Sequence, residues 1–131
     1  MTNVLILEDD VRLAAQWKRA LETRYGVFVT HGAEQALLVF EQNQIDLCIV
    51  DLFVRRDGEL SQDGGIKFLG RLSLMLLEQK RTVPVLGVSG VPRRIGGVDA
   101  EAHLSALGSD KFLEKPFTEI ELLEAVDSLL A

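Results

Sequence analysis

The stretch "LILEDD", Leu5 to Asp10, passes from three aliphatic residues to three carboxylates with no base between them. Two like charges about 4 Å apart repel by roughly 4 kcal/mol at an effective dielectric near 20. Either the three acids point apart into water, or positive charge sits among them. The apolar half of the stretch decides the fold, and the acidic half poses the question of function.

Working outward, "VLIL" (4–7) is the first of five short apolar runs; the others are "VFVT" (27–30), "LCIV" (47–50), "VPVLGV" (83–88) and the weaker "KFLE" (111–114). The first four are rich in β-branched residues. Near-continuous apolarity, rather than alternation, marks strands covered on both faces, as in a parallel sheet. Helical stripes lie between the runs. Leu13, Trp17, Ala20 and Leu21 form one, closed by Tyr25-Gly26 as a helix end with glycine past it. Ala33, Ala36, Leu37 and Phe40 form a second, and Ile66, Leu69, Leu72 and Leu76 a third. A weaker fourth helix is expected at about 98 to 107, ending at Gly108. The last starts at Thr118, with Glu121 three residues on as a capping box, and Ile120, Leu123, Val126 and Leu130 as its buried face. Strand and helix alternate five times, which predicts an α/β fold with a parallel sheet and helices on both faces. The 131 residues, 47% hydrophobic and 26% charged, read as a single domain spanning 1–131.

Composition narrows the function. A net charge of −6 argues against non-specific nucleic-acid binding by this chain, which requires a basic surface. No apolar run approaches membrane-spanning length and no basic-then-apolar leader opens the chain, so a cytoplasmic protein is expected, with no membrane partner. The single Cys48, inside "DLCIV", excludes an internal disulfide and reads as a small buried apolar side chain.

On this frame Glu8 and Asp9 end strand 1, Asp51 ends strand 3, Ser89 ends strand 4 and Lys115 ends strand 5. Ligands of open parallel sheets bind beyond the C-terminal strand ends, where the strand order reverses. Glu8, Asp9 and Asp51 make an oxygen-only cluster suited to a hard cation such as Mg²⁺, which takes one or two carboxylates and keeps several waters. Such a cation would also answer the opening question. Lys115 adds a point charge for a carboxylate or phosphoryl oxygen, and Ser89 a small hydroxyl. Together they describe a phosphoryl-transfer site, where positioning and charge neutralisation carry the chemistry.

The motifs "LILEDD" (5–10), "IVDLF" (49–53), "GVSG" (87–90) and "SDKFLEKPF" (109–117), in this order and spacing, resemble the receiver domain of two-component response regulators, the chemotaxis regulator among them. The resemblance covers the whole chain. It implies a flavodoxin-like doubly wound (βα)5 fold with a five-stranded parallel sheet of order 2-1-3-4-5. It implies that Asp51 is the phosphoacceptor, taking a phosphoryl group from a phosphohistidine on a sensor histidine kinase or phosphotransfer protein. Glu8, Asp9, Asp51 and the backbone carbonyl of Phe53 would hold Mg²⁺. Lys115 would pair with Asp51 and then the phosphoryl group, through a cis bond to Pro116. Ser89 and Phe112 would be the switch pair that biases a surface read by a downstream protein effector. The chain would act as a self-assisting phosphoacceptor switch rather than an enzyme, as a monomer or a phosphorylation-linked homodimer.

The sequence departs from the family pattern in two loops. "FVRRDGELSQDGG" (53–65) lacks the proline expected four residues after Asp51, and its best match for the expected glycine, Gly65, comes about six residues late. The segment from Ser89 to Lys115 is about four residues longer than the family pattern, the excess falling in "PRRIGGVD". Arg55, Arg56, Arg93 and Arg94 lie in these loops, which read as solvated rather than as a phosphate clamp. Phe53 and Val91 are apolar at positions that tune water access to the acyl phosphate, which implies slow self-dephosphorylation.

Other polar and aromatic residues receive ordinary roles. Asp10 reads as a helix N-terminal residue, His31 as the start of helix 2 at the surface, His103 as a helix residue and Trp17 as core. Asp46 and Lys111, at the far ends of their strands, read as surface charges. The chief competing function is a pseudo-receiver, the same fold serving as a phosphorylation-independent protein-binding module. A flavodoxin-like cofactor binder lacks its phosphate loop, since "EDDVRL" repels phosphate without a metal. A haloacid-dehalogenase-type phosphatase lacks its second aspartate, since Phe53 stands there.

Overall fold

The computed structural model of the chain describes residues 1–52, 64–90 and 109–131 in full, and 55–56, 59–60, 94–95 and 98–99 as backbone. Its main sheet contains β1 (Asn3–Leu7), β2 (Gly26–Thr30), β3 (Leu47–Asp51), β6 (Val85–Ser89) and β9 (Lys111–Glu114). These run in the order β2-β1-β3-β6-β9, every pair parallel, which is 2-1-3-4-5 among the five. The intervening β4 (Arg55–Arg56) and β5 (Glu59–Leu60) form one antiparallel pair, and β7 (Arg94–Ile95) and β8 (Val98–Asp99) another. Four helices are described: α1 (Val11–Leu21), α2 (Ala33–Gln42), α3 (Gly65–Gln79) and α4 (Glu119–Leu130).

The continuous apolarity of the central strands follows from cover on both sides. Leu5, Leu7, Cys48 and Val50 pack against the buried faces of α2 and α3. Val4, Ile6, Leu47 and Ile49, one residue out of phase, pack against Trp17 and Leu21 of α1 and Leu122 and Val126 of α4. With a side-chain period of two, each face takes every second residue and none is left for water. Cys48 is fully buried, and burial pushes its thiol far above the ordinary range, so it serves as core filler.

Two helix starts are built as their sequences suggest. The Asp10 side chain caps α1, accepting from the backbone N–H groups of Arg12 at 3.0 Å and Leu13 at 3.1 Å. Thr118 and Glu121 exchange side-chain to backbone bonds of 3.1 Å at the start of α4.

Several expectations are corrected. The buried stripe of α3 is Phe68, Leu69 and Leu72, while Ile66 is exposed. In α4 the buried residues are Leu122, Ala125 and Val126, and Ile120 faces solvent. Helix α1 ends at Leu21 rather than near Tyr25, and Gly26 opens β2 instead of closing a helix. A Cβ there would stand 2.3 Å from Asn3 Oδ1, so a larger residue would require the Asn3 side chain to shift. A helix does not begin at 98, because Val98 and Asp99 pair with Arg94 and Ile95; the rest of the expected fourth helix, 100–108, lies outside the described residues. Asp46 is no idle surface charge: its carboxylate accepts from the Asn3 backbone N–H at 2.8 Å and anchors the start of β1.

The parallel register brings the strand ends to one edge. Leu7 lies beside Val50, Asp51 beside Val88, and Ser89 beside Glu114. Glu8, Asp51, Ser89 and Lys115 therefore converge at the rim. Gly65 fixes the neighbouring wall, since a Cβ there would lie 2.2 Å from the Asp51 carbonyl oxygen and 2.7 Å from Val50 Cγ1. Gly70 on the same helix has open space around its missing Cβ. Chemical denaturation of the two alanine variants should separate them. Gly65→Ala is expected to cost about 2 kcal/mol through overpacking against backbone, and Gly70→Ala to add about 0.5–1 kcal/mol by helix propensity. Equal effects at both sites would contradict the close approach of α3 to β3.

Candidate functional site

The acidic end of "LILEDD" divides three ways. Glu8 is fully buried, Asp9 half-buried and Asp10 exposed at its cap. Glu8, Asp9 and the buried Asp51 each bring a carboxylate oxygen within 4.8 Å of the others. Lys115 reaches in from the end of β9, with Nζ ion-paired to Glu8 and 3.3 Å from Asp51 Oδ2. Positive charge does sit among the acids. With all three carboxyls ionised, one ammonium leaves two negative charges uncompensated, which matches a divalent cation. An all-oxygen donor set is the hard-ligand chemistry that Mg²⁺ prefers, so the residues present fit that ion.

Backbone bonds tie the rim together. The Lys115 N–H donates to the Ser89 carbonyl at 2.8 Å, Leu52 N–H to the Val88 carbonyl at 3.0 Å, and Glu8 N–H to the Thr30 carbonyl at 3.0 Å. These bonds continue the ladders to the residues that carry the charges. Ser89 is fully buried. The Lys115–Pro116 peptide bond is cis, as expected.

Burial pushes the Glu8 carboxyl up to about 8, with the neighbouring Asp51 carboxylate adding to the rise and Lys115 opposing it. Desolvation pulls Lys115 down, but the charges of Asp51 and Glu8 outweigh it and hold the ammonium above its ordinary range.

Two residues at the site were not legible as such. Trp17, expected only as core, lies with its ring centroid 5.7 Å from Lys115 Nζ, within cation–π reach, and stacks on Phe117 at 5.4 Å. His31 is half-buried, and its Nδ1 lies 2.9 Å from the Glu8 carbonyl oxygen; a carbonyl only accepts, so Nδ1 carries the proton in this bond. Neither has a sequence signal, because both contacts join residues far apart in the chain. Phe112 is buried in the cluster under α3. Phe53, Val91, Arg93 and His103 lie outside the described residues, as do the side chains of Arg55, Arg56 and Arg94.

The model of the response regulator receiver domain matches residues 4–127. This chain belongs to the response regulator receiver family. The transcriptional regulatory protein CpxR of Escherichia coli (strain K12) is 28% identical over 131 residues, covering 99% of this chain and 50% of that protein. The chain thus spans about half the length of the curated relatives it matches. The receiver domain of a Francisella response regulator superposes with a TM-score of 0.76 at 25% identity, covering 98% of this chain and 96% of that one. The chemotaxis protein CheY4 of Vibrio cholerae shares the fold, with a TM-score of 0.81 at 19% identity and 98% of each chain covered. Receivers are phosphoacceptor switches of two-component systems and generally bind Mg²⁺ at an acidic pocket; here the acids that cluster are Glu8, Asp9 and Asp51. Among the described residues, no helix of the receiver is long and apolar enough to cross a membrane.

The raised Glu8 carboxyl gives a pH dependence of known sign. Between its ordinary value of 4.5 and about 8 the folded receiver holds a proton that the unfolded chain has released. That contribution to stability is complete below the lower value and is lost as pH rises through the upper one. In chelator, the melting temperature of the wild type is expected to fall across this window relative to Glu8→Gln. Parallel melting curves for the two proteins would refute the assignment.

Proposed function

We propose that this receiver accepts a phosphoryl group on Asp51, from a phosphohistidine of a sensor kinase or histidine phosphotransfer protein, in a Mg²⁺-dependent reaction. The observation that carries the proposal is the meeting of Asp51, Lys115, Glu8 and Asp9 at one rim of a receiver fold. Glu8, Asp9 and Asp51 would hold the metal, with the Phe53 backbone carbonyl completing the set. When bound, Mg²⁺ supplies charge neutralisation for the phosphoryl oxygens.

The chain's own residues do the rest. An Asp51 carboxylate oxygen attacks phosphorus; the new P–O bond forms as the P–N bond to the donor imidazole breaks, and the electron pair leaves with that nitrogen. Lys115, 3.3 Å from Asp51, follows the negative charge as it moves onto the phosphoryl group. Ser89, on the adjacent strand end, donates its hydroxyl to a phosphoryl oxygen. Phe112 lies one strand over, buried, with Gly87 as its register partner. The two bias a surface that a downstream effector protein reads. A cytoplasmic setting accords with this donor chemistry and with the unpaired, buried Cys48.

The test is phosphoryl uptake. The receiver is incubated with Mg²⁺ and acetyl phosphate, and intact mass is read beside Asp51→Asn. A gain of one phosphoryl mass is expected in the wild type, absent from the variant and absent in chelator. Lys115→Met is expected to keep metal binding and lose most of the uptake rate. No gain in the wild type, and no adduct with beryllofluoride, would assign the chain instead to phosphorylation-independent binding.

A further inference from the structure

The ammonium of Lys115 sits at the end of a flexible four-carbon stem, which has many rotamers to choose from. Two of the groups that hold it are the carboxylates of Glu8 and Asp51. The same two acids belong to the cluster that fits a divalent cation. A cation among them would share their charge and repel the ammonium, so both ion pairs would weaken. A hold on Lys115 that does not depend on the carboxylates would survive that change.

Trp17 supplies such a hold. Lys115 Nζ lies over the indole ring, 5.7 Å from its centroid. The negative face of a ring attracts a cation electrostatically and leaves its N–H groups to oxygen acceptors. The attraction is stronger where water is excluded: Trp17 is 4% exposed, and the Lys115 side chain 21%.

The ring is itself held in place. Helix α1 starts next to the acidic turn, and helical side chains lean toward the N-terminus of their helix, which carries Trp17 back toward the rim. Ala14, one turn nearer the rim, is small and buried. Phe117, two residues after Lys115, stacks on the indole with centroids 5.4 Å apart. Leu122 and Val126 of α4 belong to the same packed cluster. Volume alone would be met by any large apolar side chain at this position; the ring also faces a charge.

We propose that Trp17 is a positioning residue for phosphoryl transfer, its indole face holding the Lys115 ammonium beside the Asp51 carboxylate through a cation–π contact. The proposal rests on the reading of Asp51 as the phosphoacceptor.

Trp17 is the single tryptophan, so biosynthetic incorporation of fluorinated tryptophans alters this ring and no other. Fluorine withdraws electron density from the ring face while nearly preserving its shape, which separates attraction from packing. With Mg²⁺ and acetyl phosphate, the rate of phosphoryl uptake is expected to fall stepwise with each fluorine, to about a third of the native rate or less with three. The Mg²⁺ concentration that gives half the maximal rate is expected to stay unchanged, since the ring touches the lysine and not the acids. In chelator, chemical denaturation should show fluorination lowering the stability of the wild type more than that of Lys115→Met. Trp17→Phe, checked for folding by far-UV circular dichroism, should take up phosphoryl groups more slowly than the wild type, and Trp17→Leu more slowly still. A rate indifferent to fluorination, in a receiver that does take up phosphoryl groups, overturns the proposal and leaves Trp17 as core filler. So does an equal loss of stability in the wild type and Lys115→Met. A wild type that takes up no phosphoryl group, fluorinated or not, overturns the phosphoacceptor reading and this proposal with it.

Discussion

Glu8 is a carboxyl with no access to water, set against a second buried carboxyl, Asp51. Burying one such charge costs several kcal/mol unless it is paired or protonated. The cluster meets that cost with Lys115, whose ammonium reaches both acids from the end of the fifth strand of the main sheet. The arrangement remains short of positive charge, a shortage that a divalent cation or a proton would meet. A fully neutralised cluster would be a more comfortable core and a poorer site.

The surrounding structure keeps these three groups from drifting apart. Each charged residue ends or directly follows a strand whose register is set by apolar side chains packed on both faces. A slip of one residue would send those side chains to the opposite face of the sheet. The last ladder bonds, from Lys115 N–H to the Ser89 carbonyl and from Leu52 N–H to the Val88 carbonyl, extend that register to the rim. Gly65 lets α3 come against the Asp51 backbone, which no side chain at that position would allow.

The fold was legible where physical signals are local. Apolar runs such as "VLIL" and "LCIV" are strands because burial on both faces leaves no polar alternation, and Asp10 and Thr118 cap helices through contacts three residues long. Ile66 and Ile120 misled because hydrophobicity alone does not fix the phase of a helix; Phe68 and Leu122 take the buried side, leaving the isoleucines outside. Gly26 fits a helix stop by pattern, yet it opens β2, beside Asn3 on the neighbouring strand. The short pairs at 55–60 and 94–99 carry no periodicity from which to read them. Within the site, Glu8, Asp9, Asp51, Ser89 and Lys115 were visible because all lie at strand ends. Trp17 and His31 were not, since their roles depend on helix packing and on a backbone carbonyl rather than on motif spacing.

Trp17 has one more consequence. It is the single tryptophan of the chain, and its ring faces the ammonium of Lys115 while resting on Phe117. The electrons of an indole respond to a cation held over the ring, so any event that draws Lys115 toward or away from the carboxylates changes the field that Trp17 feels. The packing that shields the lysine also gives the protein an intrinsic optical reporter of its charge balance, with no label added.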